Sequence, residues 1–398
     1  MSAGEAAPGA RGQLAALSIA MILGMTPWFS ATVVAPAMIT EWQTGAGTSA
    51  WLTIAVQLGF VVGTCVSALL LLSDRFSARR LAAGSAVIVA AATALLAWPA
   101  IGSRDAIVLR GVAGVALAGV YPPGIKIAAG WWRQQRGTAI GILVGALTIG
   151  SASPNLFRVV VVGAEWRGVI LAAAGAALAS AGLFWLVIRE GPFQAPSAPF
   201  DPTAVLQVLR DRGVMLATAG YLGHMWELYA MWSSMGAFWT YVAARHALPP
   251  ASAAVLAFAT IAAGTIGCVV AGIAADRVGR PLVTIVAMVV SGTCALIIGK
   301  LIAAPLVALA AVAIVWGISI VADSAQFSAA VTELAPSRYV GTAVTLQTSV
   351  GFLLTIVSIR LVPVWVDRWG WERAYMPLAI GPALGILAMW RLLRMPSR

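Results

Sequence analysis

The sequence predicts an all-α polytopic membrane protein with twelve transmembrane helices, arranged as two pseudo-symmetric six-helix bundles. Three observations lead to this prediction: the composition, a series of apolar runs and an internal repeat. Of the 398 residues, 61% are hydrophobic and only 10% are charged, whereas a soluble domain carries roughly 25% charged residues. A chain with so little polar surface is expected to fold in lipid.

The apolar runs are long enough to cross a bilayer, because a spanning helix needs about 20 mostly apolar residues. The predicted N-terminal spans are 14–39, 50–72, 81–101, 106–130, 138–162 and 168–188. The predicted C-terminal spans are 214–243, 251–274, 281–301, 305–331, 340–364 and 374–393. We therefore expect an N-terminal bundle over 1–188, a C-terminal bundle over 214–398, and a proline-rich cytoplasmic linker over 189–213.

Lys and Arg are distributed unequally over the predicted loops. Fifteen lie on the side of the N-terminus and six on the opposite side. Because basic residues concentrate in cytoplasmic loops, both termini are predicted to be cytoplasmic. The predicted location is the plasma membrane, which is the inner membrane of a bacterium. The scatter of these residues over short connectors argues against a nucleic-acid partner, despite a net charge of +11.

The two halves of the chain repeat each other. The segment SDRFSARR at 73–80 recurs as ADRVGR at 275–280, which places Asp74 and Asp276 202 residues apart. The tripeptide GTA at 137–139 recurs at 341–343. Internal repeats of this length are typical of secondary transporters.

The segment GIAADRVGR at 272–280 matches every defined position of the loop motif Gly-x-x-x-Asp-Arg-x-Gly-Arg of the major facilitator superfamily. The copy after the second span departs from the motif, since it lacks the glycines and has one extra residue. Arg110 in RGVAGVA resembles the arginine of that family's fourth-helix motif. By topology the resemblance covers the whole chain. It implies alternating access, with spans one, four, seven and ten around a central cavity.

The resemblance also gives the charged loop residues a role in closing the cytoplasmic side. A carboxylate at a helix end can face the positive N-terminus of a helix in the opposite half, and basic residues of the same loops can pair with an acid at the end of span ten. The expected gate residues are Asp74, Arg75, Asp276, Arg277, Arg280 and Glu333. The alternative is that these charges only set the topology.

Polar residues inside the spans are the candidates for coupling, because an ionisable side chain costs roughly 2.5–3.5 kcal/mol at the helix centre. His224 and Glu227 share one face of span seven near the midplane. The predicted proton-coupling or substrate-cavity residues are His224, Glu227, Arg110, Asp323, Gln326, Tyr221, Trp28 and Lys126. The alternatives are a structural His–Glu pair, snorkelling for Lys126, and ordinary packing for the aromatic rings.

The sequence predicts no enzyme activity, cofactor or metal. It has no Walker-type loop for ATP and only two histidines for a metal site. We expect a monomer that moves a small organic solute with protons by symport, an anionic solute if Arg110 and Lys126 bind it. Pro154 replaces the last glycine of the family's antiporter pattern in span five. Efflux of amphipathic compounds by antiport, and a non-transporting sensor or scaffold, are the alternatives.

Overall fold

The structure is a computed structural model that describes residues 6–132, 136–160, 165–194, 201, 205–336 and 339–395. At Ala46, Ser73, Asp74 and Arg136 the description covers the backbone alone. This part of the chain is helical and contains no β-strand, which confirms the predicted all-α class. The chain divides into two compact units, Met1–Ser197 and Ala198–Arg398, and the boundary lies within the predicted linker.

The helices of the first unit are α1 (Ala10–Met25), α2 (Pro27–Glu41), α3 (Ala46–Leu70), α4 (Leu72–Arg75), α5 (Ala78–Leu95), α6 (Ser103–Leu117), α7 (Tyr121–Ala129), α8 (Arg136–Val160) and α9 (Trp166–Leu186).

The helices of the second unit are α10 (Val205–Arg210), α11 (Arg212–Arg245), α12 (Pro250–Ala262), α13 (Gly264–Val278), α14 (Arg280–Ile297), α15 (Leu306–Ala322), α16 (Ser324–Leu334), α17 (Val340–Trp369), α18 (Trp371–Ala374) and α19 (Ile380–Leu393). Two short 3-10 helices, Ile298–Leu301 and Met376–Ala379, follow α14 and α18.

Eleven helical segments in the described residues are long and apolar enough to span a membrane. The remaining predicted span corresponds to α11, which has 34 residues but is less apolar because it carries His224, Glu227 and several other polar side chains. Large apolar side chains are exposed on the outer faces of the helices, for example Val307 at 80% and Leu186 at 79%. Such exposure is expected where the solvent is lipid.

Several predicted spans are interrupted near their middle. Span one breaks between α1 and α2 at Thr26, where Pro27 has no backbone N–H to continue the helix. Span four breaks between α6 and α7, ahead of Pro122 and Pro123. Span ten breaks between α15 and α16 at Asp323. These interruptions bring polar backbone and side chains to mid-span.

Glycines allow helices to approach closely within each unit. A Cβ atom at Gly59 of α3 would lie 2.1 Å from the carbonyl oxygen of Gly111 of α6. In the second unit, a Cβ atom at Gly223 of α11 would lie 2.3 Å from the carbonyl oxygen of Gly381 of α19. Because backbone meets backbone at both places, a larger residue would force the helices apart.

The two copies of the loop motif turn differently. Gly279 adopts φ +87° and ψ 153° between α13 and α14, a conformation open essentially to glycine alone. The first copy has no glycine there, and the left-handed residue is Leu71 with φ +49°, at the junction of α3 and α4. The extra residue and the missing glycines thus correspond to a different turn.

Candidate functional site

Glu227 lies near the middle of α11 and is 1% exposed. Its two carboxyl oxygens accept hydrogen bonds from two other helices of the second unit. Trp316 of α15 donates its Nε1–H to Oε1 at 2.7 Å, and Ser291 of α14 donates its hydroxyl to Oε2 at 2.8 Å. No Lys or Arg in the described residues forms an ion pair with it. The acid is therefore held by neutral donors alone.

His224 lies one helical turn before Glu227 and contacts a different acid. Its Nδ1 is 2.8 Å from Oδ1 of Asp323, and the two side chains are 1% and 2% exposed. The ring N–H does not point along this line, so the contact has ion-pair distance without good hydrogen-bond alignment. Nε2 has no hydrogen-bond partner among the described residues. One ring nitrogen thus faces a carboxyl group and the other is available to exchange a proton.

The two ionisable residues of α11 therefore do not pair with each other, although their spacing suggested it. Their face of the helix packs inside the second unit. A Cβ atom at Gly220 would meet Phe327 of α16 at 2.7 Å, and Gly223 lies against Gly381 of α19. The partners of Glu227 come from α14 and α15, and the partner of His224 comes from the interruption before α16.

Arg280, at the start of α14, connects this interior to the loop motif. Its Nη1 donates to Oε1 of Gln326 at 2.6 Å, and its Nε donates to Oε1 of Glu333 at 3.2 Å. Its Nη2 lies 3.4 Å from Oδ1 of Asp276. Gln326 is 3% exposed and lies three residues after Asp323, whereas the Asp276 and Glu333 side chains are 42% and 58% exposed. The guanidinium group therefore joins a buried amide to two acids at the surface.

For three other predicted gate residues, the described part of the structure gives no contact that supports a gating role. Arg75 and Arg277 are exposed at the ends of α4 and α13. The side chain of Asp74 lies outside the described residues. Lys126, predicted for the cavity, is half-buried on α7. A gating role for Asp74, Arg75 and Arg277, and a cavity role for Lys126, stay predictions.

Arg110 of α6 is fully buried in the first unit, at 0% exposure. Each of its three nitrogens donates to a backbone carbonyl: Nε to Leu52 at 3.2 Å, Nη1 to Pro27 at 2.8 Å and Nη2 to Trp28. A carbonyl oxygen has two lone pairs, so these acceptors also serve their own helices. Arg110 therefore ties α6 to α2 and α3, and its predicted role in binding an anionic solute stays a prediction.

The aromatic rings proposed for the cavity lie in separate units. Trp28 is 3% exposed and packs against Phe60 of α3, with ring centroids 5.0 Å apart. Tyr221 lies beside His224, with ring centroids 6.0 Å apart. A Cβ atom at Gly351 of α17 would lie 2.3 Å from the Tyr221 ring, so the tyrosine requires glycine there. Both rings pack tightly within their own units.

Sequence reasoning missed the partners of Glu227. Trp316 is the only aromatic residue of α15 and lies in mid-span, away from the interfaces where tryptophans collect. Ser291 is one of few polar residues in the middle of α14. Both signals were readable in the sequence, but neither showed that these two side chains meet the same carboxyl group.

The side chains around Glu227 and Asp323 are suited to proton exchange. The described residues contain no group of three or more His, Cys, Asp or Glu side chains that could hold a metal ion. The interior of the second unit instead holds two carboxyl groups, an imidazole and a hydroxyl, all of which can gain or lose a hydrogen-bonded proton. Intramembrane groups of this kind mark ion and substrate pathways.

Comparison with known proteins agrees with this description. No curated protein matches the chain significantly. The family profile described as Major Facilitator Superfamily matches residues 17–359, which include most of both units. The chain therefore belongs to the major facilitator superfamily and is a membrane protein of the secondary-transporter type.

Proposed function

We propose that this transporter moves a small organic solute together with protons, by symport and alternating access, and that Glu227 carries the proton. The observation that supports this most is the environment of Glu227, a buried carboxyl group held by two neutral donors without a cation. A permanent charge in mid-membrane is costly, so a carboxyl group that takes up a proton has a physical reason to do so there.

The hydrogen bonds around Glu227 suit both protonation states. Trp316 can only donate, so Oε1 must remain an acceptor in either state. Ser291 can donate or accept, and its hydroxyl also lies 3.4 Å from the carbonyl oxygen of Met288. When Oε2 gains a proton, that proton can be donated to Ser291, which then donates to Met288. The proton is therefore expected on Oε2.

Asp323 and His224 form a second proton-binding pair in this proposal. Nδ1 and Oδ1 are 2.8 Å apart, so a proton held by either group is close to the other, while Nε2 can bind a second proton. The interruption of span ten at Asp323 places this pair at a point where the helix can bend. Asp323 is therefore the second candidate carrier, after Glu227.

The positive-inside distribution supports cytoplasmic termini and a bacterial inner-membrane location, and we propose that one copy of the chain suffices for transport. Symport is preferred because the antiporter pattern of span five is incomplete at Pro154. Proton-coupled efflux of amphipathic compounds is the alternative direction, and a sensor without transport is the alternative of another class.

The test uses purified protein in proteoliposomes that enclose a pH-sensitive dye. Candidate solutes, including organic acids, amides, sugars and amphipathic cations, are added outside one at a time. Symport acidifies the lumen as the solute enters, antiport makes it more alkaline, and a sensor produces neither solute flux nor a pH change. Solute uptake without any pH change in the wild type would overturn proton coupling.

The variant Glu227→Gln then assigns the carrier. Glutamine keeps the shape and an acceptor for Trp316 but cannot exchange a proton, so we expect solute exchange down a gradient to persist while the pH change disappears. Glu372→Gln is the matched control, because Glu372 accepts from Tyr241 at 3.0 Å in the same unit, and in the described residues no hydrogen bond or ion pair joins it to Glu227 or Asp323. An unchanged pH signal in Glu227→Gln would move the proposal to Asp323.

A further inference from the structure

Among the described residues of the first unit, Gln57 of α3 is the buried side chain with two polar atoms that lack a hydrogen-bond partner. It is 0% exposed, and both its Nε2 and its Oε1 lack a hydrogen-bond partner among the described residues. Native structures leave few buried polar atoms unpaired, because such a group loses its hydration and gains nothing in return. A side chain with two unpaired atoms of opposite character can therefore bind a partner that both donates and accepts.

The surroundings of Gln57 place it opposite the interruption of span one. Helical spacing puts Thr53, four residues before it, and Phe60, three residues after it, on the same face of α3. Thr53 lies 2.7 Å from the Thr32 hydroxyl of α2, and Phe60 packs against Trp28 of α2. The face that carries Gln57 therefore meets the first turns of α2.

Arg110 holds these first turns in place. It donates to Leu52 of α3 and to Pro27 and Trp28 of α2, which fixes the two helices on either side of the Gln57 face. Each of its three nitrogens already donates to a backbone carbonyl, whereas both polar atoms of Gln57 lack a partner among the described residues. The neutral amide is therefore the group with unused hydrogen-bonding capacity at both of its polar atoms.

A second amide in this unit shows part of the same pattern. Asn155 of α8 is 3% exposed, and its Nδ2 donates to the Ala152 carbonyl, but its Oδ1 has no partner in the described chain. The helix α8 packs against span one, since a Cβ atom at Gly150 would lie 2.3 Å from the Ile22 carbonyl oxygen. The first unit therefore offers neutral hydrogen-bonding groups on two helices that border α1 and α2.

We propose that Gln57 is the recognition residue of a solute site in the first unit, and that this site takes a small neutral solute with an adjacent donor and acceptor. A carboxamide, a lactam and a protonated carboxylic acid have this arrangement, which pairs with both atoms of one glutamine amide. The inference rests on the proposed function, because it names the class of solute that the transporter carries. The anionic solute expected from the sequence is replaced by a neutral one.

The test measures binding to the full chain in lipid nanodiscs, with benzamide and 2-pyridone as probes. Acetophenone, which only accepts, and aniline, which only donates, are the matched compounds. We expect benzamide or 2-pyridone to bind the wild type at least about tenfold more tightly than the matched compounds, because each of the latter leaves one amide atom unpaired. Equal binding of all four compounds, or no binding of any, would overturn the proposal.

Variants separate solute recognition from a buried water molecule. Gln57→Leu and Gln57→Met should weaken benzamide binding about tenfold or more, and either variant alone suffices if the other does not fold. Gln347→Leu is the control, because Gln347 is a buried amide of the second unit whose Nε2 donates to the Phe327 carbonyl. Only its Oε1 lacks a partner among the described residues, so it does not offer an unpaired donor and acceptor together. If Gln57 only holds water, both Gln57 variants keep wild-type affinity, and the proposal fails.

This result is independent of the test of proton coupling. If the protein shows no preference for amides, a pH change that depends on Glu227 can still be observed with another solute. Conversely, suppose that benzamide binds in a way that depends on Gln57 while proteoliposomes show no pH change. This result would contradict proton coupling and support the solute site at Gln57.

Discussion

The two units of the molecule both bury charge, and they hold it with different partners. In the first unit, Arg110 donates to three backbone carbonyls. In the second unit, Glu227 is held by two side chains, and Asp323 faces the ring of His224. The partners of Arg110 are fixed by helix geometry, whereas Ser291 and His224 can change between donating and accepting.

This difference separates a structural charge from an exchangeable one. A backbone carbonyl accepts in every state of the protein, so Arg110 has no reason to lose its proton while the helices remain folded. A hydroxyl or an imidazole can reverse its role, so the acids of the second unit can gain a proton without leaving a buried group unpaired. The comparison thus supports the proposal that the second unit's acids carry the proton and that the first unit's charge serves packing.

The largest expected effect is that of Arg110→Leu. Three carbonyls on α2 and α3 lose a charged donor, and we expect the free energy of unfolding to fall by about 3–5 kcal/mol. Arg158→Leu is the control, since Arg158 is exposed on α8, and its effect should stay within about 0.5 kcal/mol. Thermal unfolding in detergent measures both. A stable Arg110→Leu protein that no longer transports would break the comparison.

Removal of the fixed donor to Glu227 should have the next largest effect. Trp316→Phe leaves Oε1 without a partner and opens a small void, so we expect a loss of about 2–3 kcal/mol. Ser291→Ala should cost less, because the smaller side chain leaves less unfilled volume. The free energy of unfolding of both variants is measured under the same conditions. A larger loss in Trp316→Phe would support Oε1 as the permanent acceptor, and equal losses would contradict it.

The contact between His224 and Asp323 can be measured as a coupling energy. In a double-mutant cycle with His224→Gln and Asp323→Asn, we expect about 1–2 kcal/mol, because the two buried groups touch. The cycle needs unfolding data for both single variants and the double variant at one pH. Additive single effects would show that the 2.8 Å approach contributes nothing, and would remove this pair as a proton-binding site.

The smallest effect is expected at Gln326. Gln326→Leu removes the buried acceptor of Arg280 but leaves its exposed ion pairs with Glu333 and Asp276, so the change should stay under about 1 kcal/mol. Trypsin cleavage after the exposed Arg277 should become up to about fivefold faster, as the loop opens more often. Gln207→Leu on the exposed helix α10 is the control. An unchanged cleavage rate would show that the contact between Arg280 and Gln326 does not stabilise the loop.

The sequence predicted the fold class, the family and the candidate interior residues, because these depend on composition, run length and a loop motif. It could not predict the partners. The spacing of His224 and Glu227 suggested a pair, but which helix each side chain meets depends on the rotation of α11 about its axis, set by the close approach at Gly223 and Gly381. For the same reason, the three backbone carbonyls that accept from Arg110 were not visible. The transport roles of these residues stay predictions.

Infrared difference spectroscopy of the purified protein across a pH jump tests the central claim most directly, since it needs no solute. A carboxyl group that gains a proton acquires a C=O stretching band. In a pH jump that stays above about pH 6, where ordinary exposed carboxyl groups remain ionised, we expect this band in the wild type and in Glu372→Gln. We expect it to be strongly reduced in Glu227→Gln, with the remainder lost when Asp323→Asn is added. A wild type without the band, or an unchanged band in the double variant, would contradict the account.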